Sequence, residues 1–189
     1  IAQVSAATGH DVLLGDVDLA RAEAGKAAIA KALGRLVAKD KMATADADAV
    51  LGRITPVADH AAFGPCDLVI EAATEREAVK RAIFASVGAH LSATAILATN
   101  TSSIPITRLA QAAPDPARFI GVHFFNPVPV MGLIELIRGL ATSAATLATV
   151  EAFGRNLGKE IVHSYDSPGF IVNRVLMPLI NEAAFALGE

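Results

Sequence analysis

The sequence contains one cysteine, Cys66, among its 189 residues. A single cysteine excludes an internal disulfide framework and favours a reducing compartment, so we expect a cytoplasmic protein. Hydrophobic residues make up 53% of the chain. No apolar run, however, reaches the roughly 18 residues that a membrane-spanning helix requires. The sequence therefore does not predict a membrane protein.

Basic residues are also too few to dominate the surface. The chain has 16 Lys and Arg against 19 Asp and Glu, a net charge of -3. Nucleic-acid-binding domains normally show a basic face or stripe, and none is visible in this sequence. We therefore expect no nucleic-acid partner. The histidines have no spacing typical of metal ligands, so no metal site is expected either.

Neither end of the sequence has the pattern of a natural terminus. Residues 1–7 lack an initiator methionine and the basic stretch that opens a signal peptide. They are instead typical of the inside of a helix that Gly9 ends. Residues 181–189 stop within another apolar-rich helical pattern. Both ends favour the interpretation that the sequence is a fragment, truncated at its N-terminus, of a longer protein.

Short apolar runs alternate along the chain with longer helical patterns. This order predicts βαβ units, and near-continuous apolar runs predict strands that are buried on both faces. We therefore predict an α/β, Rossmann-type doubly wound fold with a mostly parallel sheet. The predicted strands are Val12–Asp16, Arg53–Val57, Leu68–Ala72, Ala95–Asn100, Phe119–Phe125, Leu133–Arg138 and Glu160–Ser164. The predicted helices are Leu19–Ala38, Glu75–Ala89, Ile106–Ala112 and Ala144–Leu157.

Asp16 closes the first predicted strand. In a dinucleotide-binding fold, a glycine-rich turn follows one strand, and an acidic residue ends the next strand about 20 residues later. If Asp16 is that acid, the glycine-rich turn lies upstream of Ile1. Because Asp is also common in ordinary turns at strand ends, the pattern leaves two interpretations open, a ribose ligand and a turn residue.

A domain boundary is predicted at residues 165–169. Ser167 and Pro168 have the pattern of a helix N-cap and a first-turn proline, and the residues after them continue in a helical pattern to the end of the sequence. Pro178 within this helix predicts a kink.

Two segments have residue types that carry chemistry. His123 ends an apolar strand at the edge where open α/β sheets bind ligands, and Glu135 lies on the next predicted strand. A carboxylate on one imidazole nitrogen fixes the tautomer and raises basicity, which would make the pair a general base. A histidine at a strand end can equally be structural. The polar groups of residues 100–103 can bind a substrate oxygen or a cofactor, or can cap the next helix.

Four motifs together indicate a family. They are Asn100–Ser103, His123–Pro127, Pro129–Met131 and Asp166–Arg174. In this order and spacing they resemble the 3-hydroxyacyl-CoA dehydrogenase family over essentially the whole chain. The resemblance implies that residues 1–165 are an NAD-binding Rossmann domain, incomplete at its N-terminus. It also implies that residues 166–189 are the first helix of an all-α C-terminal domain.

The resemblance implies roles for five residues near the reacting atoms. It makes His123 the catalytic base and Glu135 the acid that orients it. Ser102 and Asn173 fall where the family contacts the hydroxyl or carbonyl oxygen of the substrate, and Asn126 falls in the loop beside the histidine. The implied reaction is NAD-dependent oxidation of a short (S)-3-hydroxyacyl-CoA, such as 3-hydroxybutyryl-CoA, to the 3-oxoacyl-CoA in fatty acid metabolism.

The same resemblance implies the contacts of NAD and of coenzyme A. It places Asp16 on the adenine ribose, and Glu75, Lys80 and Ser102 further along the dinucleotide. An acid at position 16 repels a 2′-phosphate, so NAD is favoured over NADP. Lys39 corresponds to a basic position near the phosphates of coenzyme A, and a solvated lysine at a helix end remains an open alternative.

The sequence also departs from the family pattern. It lacks the glycine-rich turn and first strand, it has Gly132 where relatives commonly carry lysine, and Gly15 replaces a larger residue. The resemblance implies a homodimer for the full-length protein. Two alternatives stay open, which are a dehydrogenase of a free 3-hydroxy acid and a non-catalytic protein that retains the fold.

Overall fold

The computed structural model describes residues 1–188, which form two β-sheets flanked by helices. The smaller sheet pairs β1 (Val12–Gly15) with β2 (Ile54–Val57) in parallel. The larger sheet has five strands in the order β3 (Leu68–Glu71), β4 (Ile96–Thr99), β5 (Phe119–Phe124), β6 (Leu133–Arg138) and β7 (Glu160–Tyr165). Its neighbouring strands are parallel, except that β5 and β6 are antiparallel.

The α-helices of residues 1–188 are α1 (Ala2–Ala7), α2 (Leu19–Val37), α3 (Thr44–Gly52), α4 (Glu77–Gly88), α5 (Ile106–Ala110), α6 (Ala144–Asn156) and α7 (Val172–Gly188). None of them is long and apolar enough to cross a membrane. Asp18 and Ser143 start α2 and α6 by accepting hydrogen bonds from backbone N–H groups three residues later. Gly9, with φ of 95°, follows α1 in the left-handed conformation that favours glycine.

The central strands are covered on both faces. Every residue of β4 and β5 is buried. Alternate residues point to opposite faces, so Phe119 packs with Phe84 of α4 while its neighbour Ile120 packs with Val150 of α6. The carboxyl ends of these two strands, which precede residues 100–103 and carry His123, are therefore held by a two-sided core.

The predicted α/β fold is confirmed. Each of the seven predicted strands occurs, with both ends within one residue of the prediction. The four predicted helices occur with ends within two residues of the prediction, and the first segment is helical as expected. The sheet is mostly parallel, as predicted, with one antiparallel pair.

Helix α3 was not predicted. Its first residues alternate alanine and aspartate, which gives no apolar stripe at helical spacing. The helix is stabilised by tertiary packing, because Ala47 and Val50 are buried against Leu33 of α2. Local sequence pattern therefore carries little information about this element.

The predicted start of α7 was wrong. Ser167 and Pro168 do not cap it, because the helix begins at Val172. Gly169 and Phe170, which lie between Pro168 and Val172, have φ values of 76° and 53°. A right-handed helix cannot accommodate these values. Residues 166–171 form a compact turn instead, and this turn contributes directly to the site described next.

Candidate active site

His123 and Glu135 are directly opposite each other on the antiparallel strands β5 and β6. Directly opposed side chains are the nearest cross-strand neighbours, and the His123 Nδ1 atom lies 2.6 Å from Glu135 Oε2. The His123 side chain is 6% exposed and the Glu135 side chain is fully buried. The sheet register therefore forms the pair that the sequence predicted, away from competing solvent.

The second oxygen of Glu135 binds the start of α7. Glu135 Oε1 accepts hydrogen bonds from the backbone N–H groups of Ile171 at 3.0 Å and Val172 at 2.9 Å. The first N–H groups of a helix have no partner within the helix and carry partial positive charge, which stabilises an anion. Both carboxylate oxygens are thus fixed, one by main chain and one by the imidazole. No sequence pattern predicts this contact, because it joins residues 36 and 37 positions apart.

The other ring nitrogen of His123 is free. An ionised Glu135 can only accept, so Nδ1 carries the hydrogen and Nε2 has a lone pair. Within residues 1–188, Nε2 makes no hydrogen bond, and no buried side-chain nitrogen or oxygen lacks a partner. Nε2 must therefore reach accessible space. The ring is held by Phe125 and Phe170, whose ring centroids lie 4.7 and 5.7 Å away.

Ser102 and Asn173 meet beside an open cleft. The Asn173 Nδ2 atom lies 3.5 Å from the Ser102 carbonyl oxygen, a long contact, and both residues line a cleft of about 520 Å³ with Met177 and Pro178. Asn173 follows Val172, which is bound to Glu135. The structure therefore links Ser102, Asn173, Glu135 and His123 through one set of contacts.

Glu75 organises the turn that carries Ser102. Glu75 Oε1 accepts hydrogen bonds from the Thr101 hydroxyl, the Ser102 and Ser103 N–H groups and the Ser103 hydroxyl, at 2.6 to 3.1 Å. Partial burial alone would raise the pKa of Glu75. Hydrogen bonds from residues 101–103 and the charge of Lys80 outweigh it and lower that pKa. Residues 101–103 form a turn fixed by a carboxylate, and Asp166, not these residues, binds the first N–H groups of α5. Ligand binding by residues 100–103 stays a prediction.

Lys80 lies behind this turn. Its side chain is 1% exposed, and Nζ lies 2.7 Å from Glu71 Oε2, 3.5 Å from Thr99 Oγ1 and 3.8 Å from Glu75 Oε2. Its role along a dinucleotide stays a prediction. Its polar contacts are with the buried residues Glu71 and Thr99 and with the partly exposed Glu75, and no sequence pattern pointed to Glu71.

Asp16 and Lys39 lie at opposite ends of α2. Asp16 is exposed after β1, and its Oδ1 accepts from the Val17 N–H at 2.7 Å. Lys39 is exposed after the last turn, where its N–H donates to the Leu36 carbonyl. The helix has 19 residues, a length of about 28 Å. Among residues 1–188, no hydrogen bond joins either residue to the His123 pair.

Asn126 is exposed in the loop that follows β5, and its peptide bond to Pro127 is cis. In the described part of the chain, no group of three or more His, Cys, Asp or Glu residues is placed to hold a metal ion. The arrangement is an acid-base pair with an accessible imidazole nitrogen, connected through Glu135 and Val172 to Asn173 at the cleft.

Comparison with known proteins gives consistent matches. Residues 1–167 match the family model described as "3-hydroxyacyl-CoA dehydrogenase, NAD binding domain". A 3-hydroxybutyryl-CoA dehydrogenase of Bradyrhizobium diazoefficiens is 50% identical, over 100% of this chain and 64% of that protein. A 3-hydroxyadipyl-CoA dehydrogenase of Escherichia coli is 42% identical, over 100% of this chain and 40% of that protein.

A solved structure agrees with these matches. That of (S)-3-hydroxybutyryl-CoA dehydrogenase PaaH1 from Ralstonia eutropha superposes with a TM-score of 0.96 at 46% identity, over 99% of this chain and 66% of that one. The chain thus spans about two thirds or less of the length of these relatives.

Proposed function

Since the chain belongs to the family of NAD-binding domains of 3-hydroxyacyl-CoA dehydrogenases, we propose that its protein oxidises (S)-3-hydroxyacyl-CoA with NAD. The observation that carries this proposal is the buried contact of 2.6 Å between His123 and Glu135, with His123 Nε2 left free. The relatives named for 3-hydroxybutyryl-CoA support a short acyl chain. Another relative is named for 3-hydroxyadipyl-CoA, so the length and charge of the acyl group remain to be determined by assay.

The proposed chemistry uses His123 as the general base. Its Nε2 takes the proton of the C3 hydroxyl, and the charge that then develops on the ring is stabilised by Glu135. When bound, NAD supplies the hydride acceptor. Ser102 and Asn173 hold the substrate oxygen as it becomes a carbonyl, and Asn126 contacts the substrate from the neighbouring loop.

We assign the cofactor to the edge of the sheets that carries Asp16 and the Glu75 turn. Asp16 is exposed at the carboxyl end of β1, so its carboxylate is available to ribose hydroxyls and would repel a 2′-phosphate. Glu75 holds Ser102 next to the cofactor by accepting from its backbone N–H. The Lys80 ammonium group lies 3.8 Å from the Glu75 carboxylate and adds positive charge there. We retain Lys39 as a contact for the phosphates of coenzyme A, since its side chain is exposed.

We further propose that residues 1–165 and 166–189 belong to different domains. No residue of α7 is buried within the described chain, and its large apolar side chains are exposed. These are Val175, Leu176, Met177, Leu179, Ile180, Phe185 and Leu187. Such a helix favours burial by further helices. We also propose that the whole protein is a homodimer and that it is located in the cytoplasm.

The test is an assay of the whole protein that carries this chain. NADH formation is followed with (S)-3-hydroxybutyryl-CoA, with free (S)-3-hydroxybutyrate, and with NADP in place of NAD. The proposal expects activity with the CoA ester and NAD. Activity on the free acid alone would establish the first alternative. Tight NAD binding without turnover of any 3-hydroxyacyl-CoA would establish a non-catalytic protein.

A further inference from the structure

Asp166 supplies a helix cap from a distant part of the chain. Its Oδ1 accepts from the Ile106 N–H at 2.7 Å, and its Oδ2 accepts from the Thr107 N–H at 2.8 Å. Both N–H groups belong to the first turn of α5, whose own N-cap, Pro105, has no side chain that can accept. A carboxylate that binds two backbone N–H groups at such distances is strongly held.

This contact joins the two segments that meet at the cleft. On one side, α5 begins shortly after Ser102, and Glu75 fixes that turn from its other end. On the other side, Asp166 opens the turn of residues 166–171, which Glu135 fixes at Ile171 and beyond. Each segment thus has one anchor of its own, and Asp166 connects them.

The turn after Asp166 has little freedom to absorb a displacement. Gly169 and Phe170 are both in the left-handed region, and Phe170 is 2% exposed against the His123 ring. A Cβ atom on Gly169 would lie 2.9 Å from the Arg174 nitrogen. A shift at the start of this turn is therefore transmitted along it to Asn173.

We propose that Asp166 is a positioning residue, which holds Asn173 against Ser102 by tying the start of α5 to the turn before α7. The inference rests on the proposed function, in which Asn173 and Ser102 bind the substrate oxygen. Asp166 itself is occupied by the two backbone N–H groups and does not touch substrate.

The experiment is a double-mutant cycle in the whole protein. Asp166→Asn keeps one acceptor but turns an NH₂ group toward the second N–H. We expect kcat to fall about 10- to 100-fold, as for a displaced catalytic contact. In an Asn173→Ala background the further loss should shrink to within about twofold, because the two residues act on the same contact. Losses that multiply in full would overturn the proposal.

Asp115→Asn is the matched control. Asp115 caps a short 3-10 turn, where its Oδ1 accepts from the Ala117 N–H at 2.9 Å, and it makes no contact with the turn of residues 166–171 in the described structure. The Asp115→Asn substitution should therefore leave kcat unchanged. If Asp166→Asn does not fold, the same cycle is run with Asp166→Glu, which keeps the charge and lengthens the side chain.

Hydrogen exchange separates this inference from the proposed function. A wild-type protein without dehydrogenase activity would refute the function alone. In that case, faster exchange of the backbone N–H groups of residues 102–103 and 172–173 in Asp166→Asn, and not in Asp115→Asn, supports the positioning role. Unchanged exchange at those residues would overturn it.

Discussion

Within residues 1–188, two histidine–glutamate pairs have the same sequence separation of 12 residues. His123 and Glu135 are 2.6 Å apart, with side chains 6% and 0% exposed. His163 and Glu151 are 2.9 Å apart, with side chains 49% and 26% exposed. The residue types and the spacing are alike, so neither property identifies the pair proposed as catalytic.

The difference lies in what holds the carboxylate. Glu135 is fixed by backbone N–H groups at the start of α7. Glu151 is held by the Arg155 side chain, whose hydrogen bond lowers the pKa of Glu151, with a further lowering from His163. Exposed pairs between flexible side chains are screened by water and salt. A buried carboxylate with main-chain partners is therefore the informative feature.

The largest expected contrast is between the two histidines. We expect His123→Gln to lower kcat by about 10²- to 10⁴-fold, the usual contribution of a general base. His163→Gln should leave kcat unchanged. Steady-state NADH formation by both variants of the whole protein measures this, and equal losses would remove the distinction between the pairs.

The glutamates should differ in both activity and stability. Glu135→Gln turns a buried charge with three partners into an amide, and we expect a loss of about 3 kcal/mol in unfolding free energy together with most of kcat. Glu151→Gln should have no measurable effect on either. Chemical denaturation and the NADH assay check the pair, and a fully stable Glu135→Gln variant would contradict the role of main-chain anchoring.

Two glycines sharpen the comparison between the loops. Gly169 and Gly158 have φ of 76° and 71°, but only at Gly169 would a Cβ meet backbone. We expect Gly158→Ala to cost about 1 kcal/mol from the left-handed conformation alone. Gly169→Ala should cost about 2 kcal/mol, since the clash adds to that strain. Thermal unfolding measures both, and equal costs would show that the turn yields.

The smallest expected effect is a pH dependence at Glu75. Its pKa is lowered in the folded protein, so its ionised form stabilises the fold above the ordinary glutamate pKa of about 4.3. That contribution is lost as the pH falls through the lower folded-state pKa. The stability difference between wild type and Glu75→Gln should therefore shrink in acid. A difference in unfolding free energy between the two proteins that stays constant with pH would contradict a lowered pKa of Glu75.

Prediction from sequence succeeded where the signal was local. The apolar runs of the strands predicted the sheet, since strands buried on both faces need continuous apolar residues. His123 and Glu135 were predicted as a pair because each lies on a recognisable strand. Helix α3 and the start of α7 were not predicted correctly, because tertiary packing and two positive φ values determine them.

The contacts that assemble the site could not be predicted from local sequence patterns. Asp166 binds residues 60 and 59 positions earlier in the chain, and Glu75 binds a turn more than 25 residues away. In each case a carboxylate accepts from backbone N–H groups. Nearly every residue type has such a group, so the sequence does not show which residues the carboxylate will bind.

The most direct test of the central claim is ¹⁵N NMR of the histidine side chains at alkaline pH, where neutral imidazole tautomers can be distinguished. The structure predicts opposite tautomers in one spectrum, because the carboxylate accepts from Nδ1 in His123 and from Nε2 in His163. A hydrogen on Nδ1 of His123 and a bare Nε2 is the predicted result. A hydrogen on Nε2 of His123 would contradict its proposed role as the base.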